Sequence, residues 1–185
     1  MTRPSPALGN APTEIASRSR RLRALPSPTR VPLWPESARF SLLEGLVVSD
    51  FRLTLQLPEA DARSASPDLW LAFGYLDAQN FYLLHLQPGD GSCQLELHLI
   101  KSGRRIRLAH TTPATSGTAI RLERNLRSGG IQILLDGSGI PVMSASDPTF
   151  ASGQIGIACA PGGWRREDID LQGMLASPRP LQSAS

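Results

Sequence analysis

The sequence predicts an all-β fold, a sandwich of two stacked antiparallel sheets with about eleven strands. Three observations carry this. Apolar residues recur with period two through most of residues 39–172, the pattern of half-buried strands. Turn-forming Gly, Pro, Asp and Asn residues interrupt that pattern roughly every 8–12 residues, the spacing of short strands joined by hairpins. Some runs, such as Phe81–Leu84 and Ile131–Leu135, are apolar on both faces. Such strands belong in the middle of a packed sheet rather than in a small open barrel.

The elements follow in order. Asp50–Leu57 sets Phe51, Leu53, Leu55 and Leu57 on one face and Arg52, Thr54 and Gln56 on the other. Pro58 ends it, and Glu59–Pro67 reads as a loop. Leu69–Asp77 and Asn80–Gln87 form a hairpin across Ala78 and Gln79, and Pro88–Ser92 is a turn. Cys93–Ile100 alternates again, with Leu95, Leu97 and Leu99 inward and Gln94, Glu96 and His98 outward. Lys101-Ser-Gly103 turns the chain tightly into Arg104–His110, and Thr111–Gly117 is a loop. Ala119–Leu126 and Ile131–Asp136 pair across Arg127–Gly130. Ile140–Ala145, Gly153–Ala160 and Glu167–Gln172 complete the body. No segment shows convincing helical periodicity.

Residues 1–35 hold seven prolines, many Ser and Ala, and no period. Such a segment is expected to be a disordered Pro/Arg/Ser-rich tail. Residues 36–174 are expected to form the sandwich, and 175–185 a disordered C-terminal end. The tail lacks the continuous apolar stretch of a secretory signal, and its prolines oppose the amphipathic helix of an organellar transit segment. No apolar run is long enough to span a bilayer, so no membrane insertion is expected.

Residues 1–30 carry six arginines against Glu14, a net charge of +5, whereas the whole chain is +3. The body from residue 31 onward therefore sums to about −2 and lacks the basic footprint that nucleic acid requires. Cys93 and Cys159, the two cysteines, have no zinc-site spacing. They read as buried thiols, or as one disulfide between neighbouring strands.

Several segments resemble the bacterial laminin-G-like domains. Gly74-Tyr-Leu-Asp77 with Asn80-Phe-Tyr-Leu-Leu-His-Leu86 looks like their central hairpin. Leu122-Glu-Arg-Asn125, Ile131-Gln-Ile-Leu-Leu-Asp-Gly137, Gly153-Gln-Ile-Gly156 and the closing Glu167-Asp-Ile-Asp-Leu171 are similar to later strands of that family. The resemblance implies a concanavalin A-like jelly roll, related to the 3-keto-disaccharide hydrolase domains that are labelled family 16 glycoside hydrolase-like. It also implies a glycan or protein ligand, export from the cell, and calcium at a rim, for which Asp168 and Asp170 are the candidates. The Glu-x-Asp-x-x-Glu carboxylate signature of hydrolases with this fold is absent. That favours a non-catalytic carbohydrate- or partner-binding module over a glycoside hydrolase.

Candidate site residues follow from chemistry. Imidazole titrates near neutrality, so His85 reads either as a general base or sugar-binding donor, or as a histidine bonded within its sheet. His98 shares a polar face with Gln94 and Glu96, which reads as a solvated or groove-lining face. If the chain were an enzyme, His85, Glu96 and His98 are the residues to test. A sugar is recognised by hydrogen-bonding groups beside an aromatic surface. Arg52, Trp70, Tyr75, Gln94, Glu96 and His98 are therefore the ligand-binding candidates, with Trp70 and Tyr75 as aromatic platforms unless they fill the core. Beside Arg52, Thr54 and Gln56 are expected on the same concave sheet.

Overall fold

The computed structural model describes residues 22–24, 39–43, 46–56, 68–89, 92–113, 118–125, 127–135, 139–159 and 169–175. Among them are twelve strands: β1 (Leu22–Ala24), β2 (Arg39–Leu43), β3 (Val48–Gln56), β4 (Leu69–Asp77), β5 (Asn80–Gly89), β6 (Ser92–Lys101), β7 (Arg104–Thr111), β8 (Ala119–Asn125), β9 (Gly130–Leu135), β10 (Met143–Ser146), β11 (Gln154–Cys159) and β12 (Ile169–Leu175). They build two antiparallel sheets, a seven-stranded one in the order β1-β2-β11-β4-β5-β6-β7 and a five-stranded one in the order β10-β9-β8-β3-β12. The fold is an all-β jelly-roll sandwich. No helix among the described residues is long and apolar enough to cross a membrane.

Several boundaries differ from expectation. The segment read as a tail contains β1, whose Leu22–Ala24 pair with Leu43–Ser41 of β2; the other residues up to 35 lie outside the described set. The tenth strand begins at Met143 rather than Ile140, and Ile140 stands 77% exposed in the turn before it. The last strand runs to Leu175, past its expected end at Gln172, while Glu167 and the residues after Leu175 are outside the described set. So is the expected loop Glu59–Pro67.

The core lies between the sheets. Leu53, Leu55 and Leu122 of the five-stranded sheet meet Leu71, Leu84 and Leu97 of the seven-stranded one, all at most 1% exposed. Each such side chain contributes on the order of 2 kcal/mol by leaving water. Strands β4 and β5 are buried on both faces, as their unbroken apolar runs require.

Two turns fix the register of the central strands. Ser102 (φ 50°) and Gly103 (φ 73°) sit between the paired Lys101 and Arg104. Positive φ at both central residues is the turn that matches strand twist. At the preceding hairpin, Asp77 Oδ1 accepts from the Gln79 N–H (2.7 Å) and from Asn80 Nδ2 (2.9 Å). The two turns are docked together, because Ser102 N–H donates to Asn80 Oδ1 (3.1 Å) and Gly103 N–H to the Gln79 carbonyl (3.0 Å).

The sheets are also joined through backbone. Val48 of β3 and Gly153, just before β11, exchange two hydrogen bonds of 3.0 Å each. Gly153 there presses against Gly74, and a Cβ on Gly153 would lie 2.2 Å from the Gly74 carbonyl carbon. Only a glycine fits that contact.

The cysteines do not lie on neighbouring strands. Cys159 is in β11 and Cys93 in β6, with β4 and β5 between them. Three inter-strand steps put their Cα atoms roughly 14 Å apart, twice the ~7 Å limit for a disulfide. Cys93 is a buried thiol, as the first of the two readings has it.

Candidate functional site

The alternation that sends Leu95, Leu97 and Leu99 into the core sends Gln94, Glu96 and His98 onto the opposite face of the seven-stranded sheet. Register builds that outer face row by row. Trp70 lies opposite His85, His85 opposite Glu96, and Glu96 opposite His110. In the next row Ala72, Leu83, His98 and Arg107 are partners, and beyond it Phe81, Ile100 and Arg105. A register shift between Leu97 and His98 takes up the extra residue of β7 and keeps His110 on this face. Trp70, Ala72, Phe81, Leu83 and Ile100, with Leu42, form a second apolar cluster.

Aromatic side chains define one end. The Trp70 and His85 rings stack with centroids 5.0 Å apart and planes 6° apart. His85 Nε2 lies 3.3 Å from Asp68 Oδ2. Trp70 itself is only 8% exposed, so of its two sequence readings the structure has the buried ring rather than the open platform. Tyr75 joins the same face because Gly74 takes a left-handed conformation (φ 57°), which breaks the period-two alternation after Phe73. Its ring is half-buried and packs on Phe81 at 5.6 Å. Burial, and then the Asp77 charge, push its phenol pKa up.

A charged network defines the other end. Glu96 Oε2 lies 3.1 Å from His98 Nε2 and accepts from Arg105 Nη2 at 3.0 Å, and Glu96 Oε1 is 3.7 Å from Arg107 Nη1. Arg105 Nη2 is also 2.6 Å from His98 Nε2. Glu96 Oε2 can only accept from Nε2 and Arg105 Nη2 can only donate to it, so the two contacts ask for opposite protonation of that nitrogen. Nδ1 is buried and has no hydrogen-bond partner among the described residues. Burial first, together with the Arg105 charge, lowers the His98 pKa against the opposing pull of Glu96. Burial pushes the Glu96 carboxyl up, but the His98 contact and the Arg105 and Arg107 charges outweigh it and hold the pKa below the ordinary carboxylate value. Glu96 is thus a fixed anion rather than a proton donor.

The structure brings Trp70, Tyr75, His85, Gln94, Glu96 and His98 onto one face, with Gln94 exposed beside Glu96. Arg52 does not join them. It lies in β3 of the other sheet, with Leu53 and Leu55 pointing to the core on either side of Thr54, so Arg52 and Thr54 face outward on the opposite surface of the sandwich. There Arg52 Nε binds Glu123 Oε1 at 2.8 Å, and Arg121 Nε approaches the same oxygen at 3.2 Å. Gln56 shares that surface. The two outer faces therefore both carry a glutamate between arginines, but among the described residues only the seven-stranded sheet sets rings beside them.

Of the two calcium candidates only Asp170 is described. Asp168 lies outside the described residues, as does Asp136. Asp170 is exposed on β12 opposite Thr54. Among the described residues no three His, Cys, Asp or Glu side chains cluster in a way that holds a metal ion, and calcium asks for six to eight oxygens.

Solved structures offer a likeness in fold. No protein-family model matches the chain, and no curated protein does. Among solved structures, the carbohydrate binding module CBM66 from Bacillus subtilis superposes with a TM-score of 0.51 at 20% identity, covering 77% of this chain and 81% of that one. The κ-carrageenase from Pseudoalteromonas carrageenovora, solved with an oligotetrasaccharide, gives 0.43 at 11% identity over 71% of this chain and 59% of its own. LamAcat from Zobellia galactanivorans gives 0.44 at 15% identity over 75% and 68%. At these identities the first likeness shows the fold alone.

Sequence reasoning missed Arg105 and Arg107. Period two across the Ser102-Gly103 turn does place both on the Glu96 face, so the signal was present in the hairpin register. It also missed a buried knot across the sandwich. Arg124, 4% exposed, donates to the carbonyls of Gly129 (2.9 Å), Asp147 (2.7 Å) and Phe150 (3.3 Å) and covers the Tyr82 ring at 5.0 Å.

Proposed function

We propose that this chain is a non-catalytic carbohydrate-binding module whose ligand face is the outer surface of the seven-stranded sheet. The observation that carries the reading is the row Trp70–His85–Glu96, in which stacked rings lie next to hydrogen-bonding side chains on adjacent strands. A sugar presents C–H faces to rings and hydroxyls to carboxylates, amides and imidazoles. The His85 ring and the half-buried Tyr75 offer the first, and Gln94, Glu96 and His110 the second. The CBM66 likeness adds that a module with this fold binds carbohydrate.

Hydrolysis of glycosides is the weaker reading. A retaining glycosidase needs two carboxyl groups about 5–5.5 Å apart, one of them able to give a proton. Glu96 is held ionised between Arg105 and Arg107 and is unsuited to that task. A glycan array read with the wild-type protein and with Gln94→Ala and His85→Ala tests the module. Retention of at least one glycan, weakened by both substitutions, is expected. Failure to retain any glycan, or retention indifferent to both changes, removes the proposal.

A further inference from the structure

On the outer face of the seven-stranded sheet Glu96 stands between two guanidiniums, Arg105 and Arg107. The two are not held alike. Arg105 is fixed by Glu96 Oε2 at 3.0 Å and His98 Nε2 at 2.6 Å. Arg107 approaches Glu96 Oε1 only to 3.7 Å, too long for a hydrogen bond, and its side chain is 61% exposed. Edge protection explains arginines on an edge strand such as β7, and the exposed Arg104 fits that role. It does not explain why Arg105 and Arg107 bend over the sheet toward a carboxylate beside the ring pair.

We propose that this face takes an anionic glycan, one bearing a carboxylate or a sulfate, whose oxyanion Arg105 and Arg107 grip together. Glu96 is the internal carboxylate that this oxyanion displaces from Arg107. The inference rests on the carbohydrate-binding reading and names its ligand class. Guanidinium recognises planar carboxylate and tetrahedral sulfate through paired N–H donors, and the pairing is strongest where one side is already ordered. Arg105 is the ordered member, and Arg107 supplies the exposed donors. His98, 2.6 Å from Arg105 through Nε2, helps to hold that guanidinium in place.

The test is calorimetric titration of the full chain with three oligosaccharides of equal length: galacturonate, a sulfated galactan and neutral maltose-type glucan. The expected result is binding of a charged oligosaccharide, weakening with salt, with the response to galacturonate or sulfated galactan naming the oxyanion. Arg107→Ala should weaken it about tenfold or more. Arg52→Ala removes the same charge from the opposite face and should bind as wild type does. Glu96→Gln should bind more tightly, and weaker binding would remove the displacement step. Charged binding that survives Arg105→Ala/Arg107→Ala belongs to the arginines of residues 1–30 and overturns the inference. Neutral glucan bound as well as the charged sugars, unaffected by Arg107→Ala, also overturns it while leaving the carbohydrate-binding reading intact. No binding of any of the three, together with an array that retains nothing, sinks both.

Discussion

Tyr82 Oη donates a 2.6 Å hydrogen bond to Asp147 Oδ1, tying the middle of the seven-stranded sheet to the segment that leaves β10 of the other sheet. The same hydroxyl accepts from the Phe150 N–H at 3.2 Å, and Asp147 Oδ1 also caps its own turn by accepting from the Thr149 N–H at 2.9 Å. Burial, then the Asp147 contact, push the Tyr82 phenol up to about 12. Arg124 covers the ring and binds the surrounding carbonyls.

Removing the hydroxyl strands several polar groups in the core. Tyr82→Phe should cost about 1–3 kcal/mol of unfolding free energy, measured by urea denaturation at neutral pH. Arg124→Met should cost about 1–3 kcal/mol, because three carbonyl oxygens each lose a donor at once while the Gly129 and Asp147 carbonyls keep the Asp147 N–H and the Tyr82 hydroxyl. Arg124→Lys should recover only part of this, since an ammonium cannot span the fork. Equal stability of Arg124→Met and wild type would refute the structural role given to this residue.

The Asp147 carboxyl makes the knot sensitive to acid. Burial raises its pKa, but the hydrogen bonds from Tyr82 and Thr149 and the Arg124 charge outweigh that and hold it below the ordinary aspartate value. A carboxyl whose folded pKa is depressed stabilises the fold above its unfolded pKa and loses that contribution as pH falls through the folded value. The stability gap between wild type and Asp147→Asn should therefore be full at about pH 6 and shrink toward about pH 3. A gap that stays constant over this range would show that the charge of Asp147 is irrelevant to stability.

Gly153 allows no side chain. An added Cβ would meet the Gly74 backbone at 2.2–2.6 Å, and backbone cannot step aside as a flexible side chain can. Gly153→Ala should therefore destabilise by about 3 kcal/mol, readable as a drop in Tm. Gly139→Ala, whose added Cβ would meet nothing within 4 Å, should leave Tm nearly unchanged and serves as the control.

The binding and hydrolase readings part on turnover. Incubation with 3-keto-glucosides should give no release of sugar above the uncatalysed rate, in wild type and in His98→Ala alike. Enzymatic release that disappears in His98→Ala or Glu96→Gln would reverse the assignment.

The strand pattern was legible because period two is a local property. Phe51, Leu53 and Leu55 in β3, and Leu95, Leu97 and Leu99 in β6, are all buried as their alternation requires. What one strand cannot reveal is its sheet. Arg52 and Glu96 have the same local signature, a polar residue between inward leucines, yet they lie on opposite faces of the sandwich because β3 and β6 are in different sheets. Strand order is set by long-range pairing, such as the insertion of β11 between β2 and β4, for which neighbouring residues carry no mark. The two readings of Trp70, platform or core, are separated only by pairing of the same kind: His85 meets its ring through hairpin register. The Tyr82–Asp147 contact joins residues 65 positions apart and has no local signal at all.

The Val48–Gly153 bridge has one last consequence. Because backbone joins the two sheets there, and Gly153 is wedged against Gly74 just before Tyr75, the proposed ligand face is built on paired strands and not on loops. A preorganised surface gives up little conformational entropy when a ligand docks. Selectivity of the proposed module would then come from how well a sugar matches a fixed spacing of rings and charges.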